Sequence, residues 1–67
     1  MDSYFTGEWT TFMETHEYEA CVSGGELLWI GILEHGTWTR YAPEQARHLI
    51  PAAVFSSIID RCKEASK

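Results

Sequence analysis

The feature that most constrains this fold is a seven-residue apolar run, Leu27 to Leu33, between two turn signals. Ser23-Gly24-Gly25 precedes the run, and His35-Gly36 follows it at the position of a two-residue hairpin loop. Turn residues on both sides of an apolar run favour antiparallel strands joined by tight turns. The run is far shorter than the roughly 20 apolar residues that cross a bilayer. It therefore predicts the central strand of a small sheet, over Glu26 to Glu34.

Residues that favour strands also lie on both sides of this central strand. The segment Trp9–Val22 is rich in threonine, aromatic and β-branched side chains, and Thr37–Tyr41 makes a short strand after the second turn. Residues 1–8 show no clear period, so we expect a loose N-terminal arm there. The predicted sheet is a three-stranded antiparallel meander.

The periodicity changes after residue 42. Apolar residues then recur at three- and four-residue steps as far as Cys62, which indicates an amphipathic helix. Pro43 suits a helix start, and Pro51 lies inside the run, so we expect a short helix over about 43–49 and a longer one over about 51–65. The 67 residues are predicted to form one α+β domain, with the order β-β-β-α and the helical part broken at Pro51.

Charge is distributed unevenly along the chain. Residues 1–39 carry seven acidic side chains and no lysine or arginine, a charge of −7, whereas residues 40–67 hold five basic and three acidic side chains, a charge of +2. A field of one sign repels nucleic acid and membranes and attracts basic protein surfaces. We therefore expect the partner to be a larger protein with a basic surface, without direct binding of nucleic acid or membrane.

The central strand has large apolar side chains on both faces, and one layer of helices covers only one face. A shift of pairing by one residue exchanges the neighbours of every side chain. With a two-residue loop, Val22 and the other residues on its face of the preceding strand lie on the same face of the sheet as Leu27 and Trp29. With a three-residue loop and a bulge, the same residues of the preceding strand share a face with Ile30 and Ile32 instead. We favour the second register because it gives an aliphatic core that suits the apolar face of the helix.

In either register, Glu17 and Glu19 share a face with at least two large apolar residues of the central strand. An apolar centre with a tryptophan and a rim of carboxylates is typical of a protein-binding surface. The predicted partner-binding residues are acidic or aromatic: Glu14, Glu17, Glu19, Glu26, Trp29, Glu34 and Trp38. Two alternatives would cover this face: the N-terminal residues fold over it, or two copies pack sheet to sheet as a homodimer.

Motifs for catalysis, phosphate binding and metal binding are absent from the sequence. The three histidines have no metal-ligand spacing to one another or to the two cysteines, although a site assembled from His16, Cys21 and Cys62 is a further alternative. The N-terminus has no secretory signal, so we expect a cytoplasmic protein with reduced thiols. We expect no enzymatic activity, no metal and no cofactor, and we expect Arg40 and Arg47 to pair with glutamates of the sheet.

These features predict a small inhibitor or adaptor that docks an acidic, aromatic sheet face onto a basic site of a larger protein. If that site normally holds nucleic acid, the carboxylates stand where phosphates would, and the chain acts as a nucleic-acid mimic. Phage proteins that disable host or defence enzymes, and immunity proteins that block toxic nucleases, are settings for such a protein. The alternative is a structural homodimer that serves as an assembly module.

Overall fold

The computed structural model of the chain describes residues 2–65. Four strands form one antiparallel sheet in the order β1-β2-β3-β4, and two helices follow. The elements are β1 (Asp2–Thr11), β2 (Glu14–Ser23), β3 (Glu26–Glu34), β4 (Thr37–Tyr41), α1 (Pro43–Leu49) and α2 (Ala52–Ala65). The prediction of an α+β fold, with a meander followed by C-terminal helices, is confirmed.

The N-terminal region differs from its prediction. The expectation of a loose arm over residues 1–8 is wrong, because Asp2–Thr11 is a strand paired along its whole length with β2. The segment predicted as one strand, 9–22, is divided by a turn at Phe12 and Met13. These two residues are not the glycine, asparagine or proline that usually marks a turn, and Gly7 interrupts the apolar pattern of β1. The sheet therefore has four strands, and Met1 lies outside the described residues.

The hairpin of β2 and β3 combines the two registers considered above. Its loop consists of two glycines with φ of 58° and 80°, and Val22 lies opposite Leu27. A bulge follows at once, because Leu28 has no partner residue on β2 and is 41% exposed. Beyond the bulge the pairing is the favoured one, with Ala20 opposite Ile30. A bulge adds one residue to one strand and so changes which side chains face the core.

Proline and its neighbours set the limits of both helices. Pro43 occupies the first turn of α1, and the N–H of Ala42 donates a hydrogen bond to Oε1 of Gln45 over 3.2 Å. Ile50 is extended (φ −104°, ψ 138°), as a residue before proline tends to be. The carbonyl of Pro51 accepts a hydrogen bond from the N–H of Phe55 at the start of α2. The predicted break at Pro51 is confirmed.

Both helices pack on one side of the sheet, which we call the inner face; the other side is the outer face. The centre of the core is aliphatic, and Ile30 of β3 and Ile58 of α2 are fully buried there. Of the apolar residues in the helical segment, Ile58 and Val54 pack on the core, but Leu49 does not. Leu49 is 52% exposed and Ile50 is buried, because the chain turns out of α1 at this point.

The two cysteines are free thiols, as expected. Cys62 belongs to the inner core on α2, whereas Cys21 lies between Tyr4 and Trp29 in the strand pairing, on the outer face. Both are buried, and the sheet separates them. A disulfide between them would have to cross the sheet.

Candidate protein-binding surface

The outer face brings together four of the seven predicted binding residues. Glu17 and Glu19 alternate with the buried Tyr18 and Ala20 along β2, so both project outward. Trp29 on β3 and Trp38 on β4 lie on the same face. The central carboxylates and both tryptophans therefore lie on one face of the sheet.

The other three predicted residues lie elsewhere. Glu26 pairs with Ser23 beside the glycine turn, at one end of the outer face. Glu14 and Glu34 have the inward parity of β2 and β3, at the opposite end of the sheet. Oε1 of Glu34 accepts a hydrogen bond from the Tyr41 hydroxyl over 2.6 Å, and this bond raises the pKa of Tyr41. The structure thus separates Glu14 and Glu34 from the other predicted binding residues, because a strand alternates its side chains between faces.

An aromatic cluster forms the centre of the outer face. The rings of Tyr4 and Trp29 are tilted by 53°, with 6.1 Å between their centroids, and Cζ of Arg40 lies 4.2 Å above the Trp29 ring. Trp38 lies on the edge strand and is 50% exposed. A Cβ atom on Gly31 would lie 3.5 Å from Cζ3 of Trp29 and 3.7 Å from Cε3 of Trp38, so both indoles cover this glycine.

Carboxylates lie along one side of this aromatic cluster. Glu8 of β1 is directly opposite Glu17 of β2, and Thr6 is opposite Glu19. Like charges opposite each other in a sheet destabilise it. Within the described residues, no lysine or arginine nitrogen lies within 4.0 Å of these three carboxylates. Among the described residues, the centre of the outer face thus carries three carboxylates against one guanidinium, that of Arg40, and its net charge is negative.

We call these residues together the outer patch: Tyr4, Glu8, Glu17, Glu19, Trp29, Leu33, Trp38 and Arg40. A shallow depression of about 280 Å³ lies within it, lined by Thr6, Gly7, Glu8, Glu17, Tyr18 and Trp38. An aromatic wall beside two carboxylates suits a lysine or arginine side chain, because cations bind to both groups.

The arginines do not pair with the glutamates of the sheet, contrary to the prediction. Arg40 stacks on Trp29, and Cζ of Arg47 lies 5.7 Å from the centroid of the Phe55 ring. Stacking of this kind uses the flat face of the guanidinium and leaves its edge free for hydrogen bonds. Arg40 is thus the single basic side chain of the outer patch.

Tyr4, Glu8 and Arg40 belong to the outer patch although the sequence alone did not indicate them. Tyr4 and Glu8 were missed because β1 was not recognised as a strand. The signal is present in the alternation of Phe5, Gly7 and Trp9 with polar residues, and Phe5 and Trp9 both face inward.

The described residues 2–65 contain no group of three or more His, Cys, Asp or Glu side chains that could hold a metal ion. In the same part of the chain, no helix has the length and the apolar character that a membrane crossing requires. No protein-family model, curated protein or solved structure matches this chain.

Proposed function

We propose that this chain is a small protein-binding module, an inhibitor or adaptor, that docks its outer patch onto a basic surface of a larger protein. One observation supports this most directly. The exposed Trp38 lies on the same face as the carboxylates of Glu8, Glu17 and Glu19, which have no cationic partner among the described residues. A lysine- or arginine-rich surface supplies the missing charges, and the indole of Trp38 supplies an apolar anchor.

The two parts of the outer patch have different tasks in this proposal. The carboxylates attract the partner over a distance, so they mainly raise the rate of association and make it sensitive to salt. Trp38 holds the complex together, since truncation of an aromatic anchor typically costs about 2 kcal/mol or more of binding free energy. The substitution Trp38→Thr is suitable for a test because threonine also favours strands.

The test is a pull-down from bacterial lysate with the tagged protein at low and high salt. The retained proteins are then identified by mass spectrometry. The charge-reversed variant Glu17→Lys, Glu19→Lys is expected to lose the captured protein. Its matched control is Asp60→Lys, Glu64→Lys, which changes the net charge equally on exposed positions of α2. Capture that is lost only on outer-face reversal supports the proposal. Equal capture by wild type and the outer-face variant, at both salt concentrations, would contradict it.

The identity of the basic site is a further part of this proposal. The carboxylates of Glu8, Glu17 and Glu19 offer repeated negative charges on two adjacent strands, as a nucleic-acid backbone offers repeated phosphates. A captured partner that binds DNA or RNA is expected to release it when the wild-type chain is added. Release by wild type together with retention under the outer-face variant identifies the chain as a mimic of nucleic acid.

A further inference from the structure

The turn between β1 and β2 presents two large apolar side chains to solvent. Phe12 and Met13 are 103% and 98% exposed, so neither contributes to the core. We call this pair the hairpin tip. Scattered apolar residues on a surface are ordinary, but two adjacent and fully exposed ones at a sharp turn form a projecting apolar point.

The backbone of the hairpin tip also departs from ordinary turn chemistry. Phe12 has φ of 55°, a conformation that favours glycine, and the first turn residues of the other two hairpins are Gly24 and His35, at φ of 58° and 50°. A side chain such as phenylalanine at positive φ is strained, and such strain is concentrated at functional sites. The chain therefore keeps a phenylalanine where local stability favours glycine, and the fold of a single copy gives no compensation.

An open groove lies at the same end of the sheet, on the inner face. Its volume is about 540 Å³, and its walls are the ends of β1, β2 and β3 on one side and the junction of α1 and α2 on the other. The lining residues include Trp9, Ile32, Ile50 and Pro51, with Thr11, His16, Glu34 and His48 as polar members. Leu49 also lines the groove and is half exposed.

We propose that this groove receives the hairpin tip of a second copy of the chain, in a reciprocal two-fold dimer. The tip and the groove meet at Thr11, which lines the groove and directly precedes Phe12. A single two-fold axis beside this residue brings each tip to the groove of the other copy. Such an interface is self-complementary and closes at two chains.

The available area agrees with a second copy as the occupant. A large aromatic side chain buries about 150–250 Å², and a methionine of similar size brings one tip to roughly 400 Å². Two tips and the groove walls that they cover then reach roughly 1,000 Å², the size of a weak, reversible interface. The outer patch lies on the opposite face of the sheet, so this dimer is independent of the proposed function and leaves that patch free.

Sedimentation from about 1 µM to about 500 µM protein tests the dimer, a range that covers ordinary reversible association. The main variant is Phe12→Gly, Met13→Asn, which places glycine at the position with positive φ and an ordinary polar turn residue after it. We expect its dissociation constant to rise by roughly a hundredfold or more while its thermal midpoint stays the same or increases. A structural role for the tip predicts the opposite change in the midpoint.

A mixing experiment tests the reciprocal contact itself. Leu49→Arg blocks the groove rim, at a helix end that tolerates a cation, and is expected to abolish dimerisation as the tip variant does. In an equimolar mixture, the Leu49→Arg chain supplies an intact tip and the tip variant supplies an intact groove. One of the two reciprocal contacts can then form, so we expect a heterodimer that is weaker than the wild-type dimer. Trp38→Thr, on the outer face, is expected to leave the wild-type dimer intact.

Three results would overturn the proposal. The first is wild-type protein that remains monomeric over the whole concentration range. The second is a dimer that survives the change at Phe12 and Met13. The third is a dimer that Trp38→Thr alone dissociates, which would locate the contact on the outer face.

Discussion

Two glycines inside strands should respond in opposite ways to the same substitution. Gly7 lies beneath the ring of Tyr18, where a Cβ atom would come within 2.6 Å of Cζ and 2.8 Å of Cε2. A Cβ atom on Gly31 would instead lie 3.5 Å or more from its nearest neighbours, which is ordinary contact. Neither glycine has positive φ, so the backbone accepts alanine at both positions.

The ring of Tyr18 has little freedom to move away from an added methyl group. It is 5% exposed, packs edge-on against Phe5 with 6.3 Å between centroids, and is tilted against Trp9 at 6.2 Å. Its hydroxyl also accepts a hydrogen bond from Nη1 of Arg61 over 3.0 Å. An alanine at position 7 must therefore displace a ring that is held on three sides.

The magnitude follows from two opposing effects. Replacing glycine by alanine in a strand ordinarily stabilises a protein by about 0.5–1 kcal/mol, because the unfolded chain loses freedom. Overpacking in a filled core costs about 1–3 kcal/mol. We therefore expect Gly7→Ala to destabilise the fold by roughly 0.5–2 kcal/mol and Gly31→Ala to stabilise it by roughly 0.5 kcal/mol.

Urea unfolding followed by tryptophan fluorescence measures both free energies. For a domain of this size, 1 kcal/mol corresponds to a shift of about 4–8 °C in the thermal midpoint. The substitution Tyr18→Leu removes the ring, so Gly7→Ala in that background should become neutral or stabilising, which gives a coupling free energy in the cycle. Equal stabilisation by Gly7→Ala and Gly31→Ala would refute the reasoning.

The remaining predictions concern the thiols and the contact between the sheet and α2. Cys21 and Cys62 are at most 2% exposed, so a thiol reagent should modify both only after denaturant is added, and rapid labelling of the native protein would contradict this packing. Burial raises the pKa of Cys62 above its ordinary value of 9.0. As the pH rises through about 9, the thiol therefore loses its proton first in the unfolded chain, and the free energy of unfolding should fall. The variant Cys62→Ala, measured in parallel, should show a smaller dependence on pH. Arg61 donates hydrogen bonds to the Thr6 carbonyl and the Tyr18 hydroxyl, so Arg61→Met should lower stability by about 1–2 kcal/mol, and an unchanged urea midpoint would show that these bonds contribute nothing.

Part of the candidate surface follows from alternation along a strand. Glu17 and Glu19 are two residues apart, so they share a face with each other whatever the pairing. Their neighbours on β3 depend on the bulge at Leu28, because one extra residue reverses the parity of the strand on either side of it. The bulge lets Leu27 and Ile30 both face inward, and the helices that cover this face make that arrangement favourable.

Local sequence likewise sets some elements of the fold, and tertiary packing sets others. The sequence by itself determined the glycine turn of β2 and β3, the turn at His35-Gly36 and the helix break at Pro51, because positive φ and a missing N–H act within a few residues. Only the tertiary structure decided that residues 2–11 form a strand. Their pairing with β2 and the packing of Phe5 and Trp9 on the core supply the stabilisation, and most of that core comes from β3 and the helices, which are distant in sequence. For the same reason the hairpin tip was recognisable only once both strands that it joins were in place.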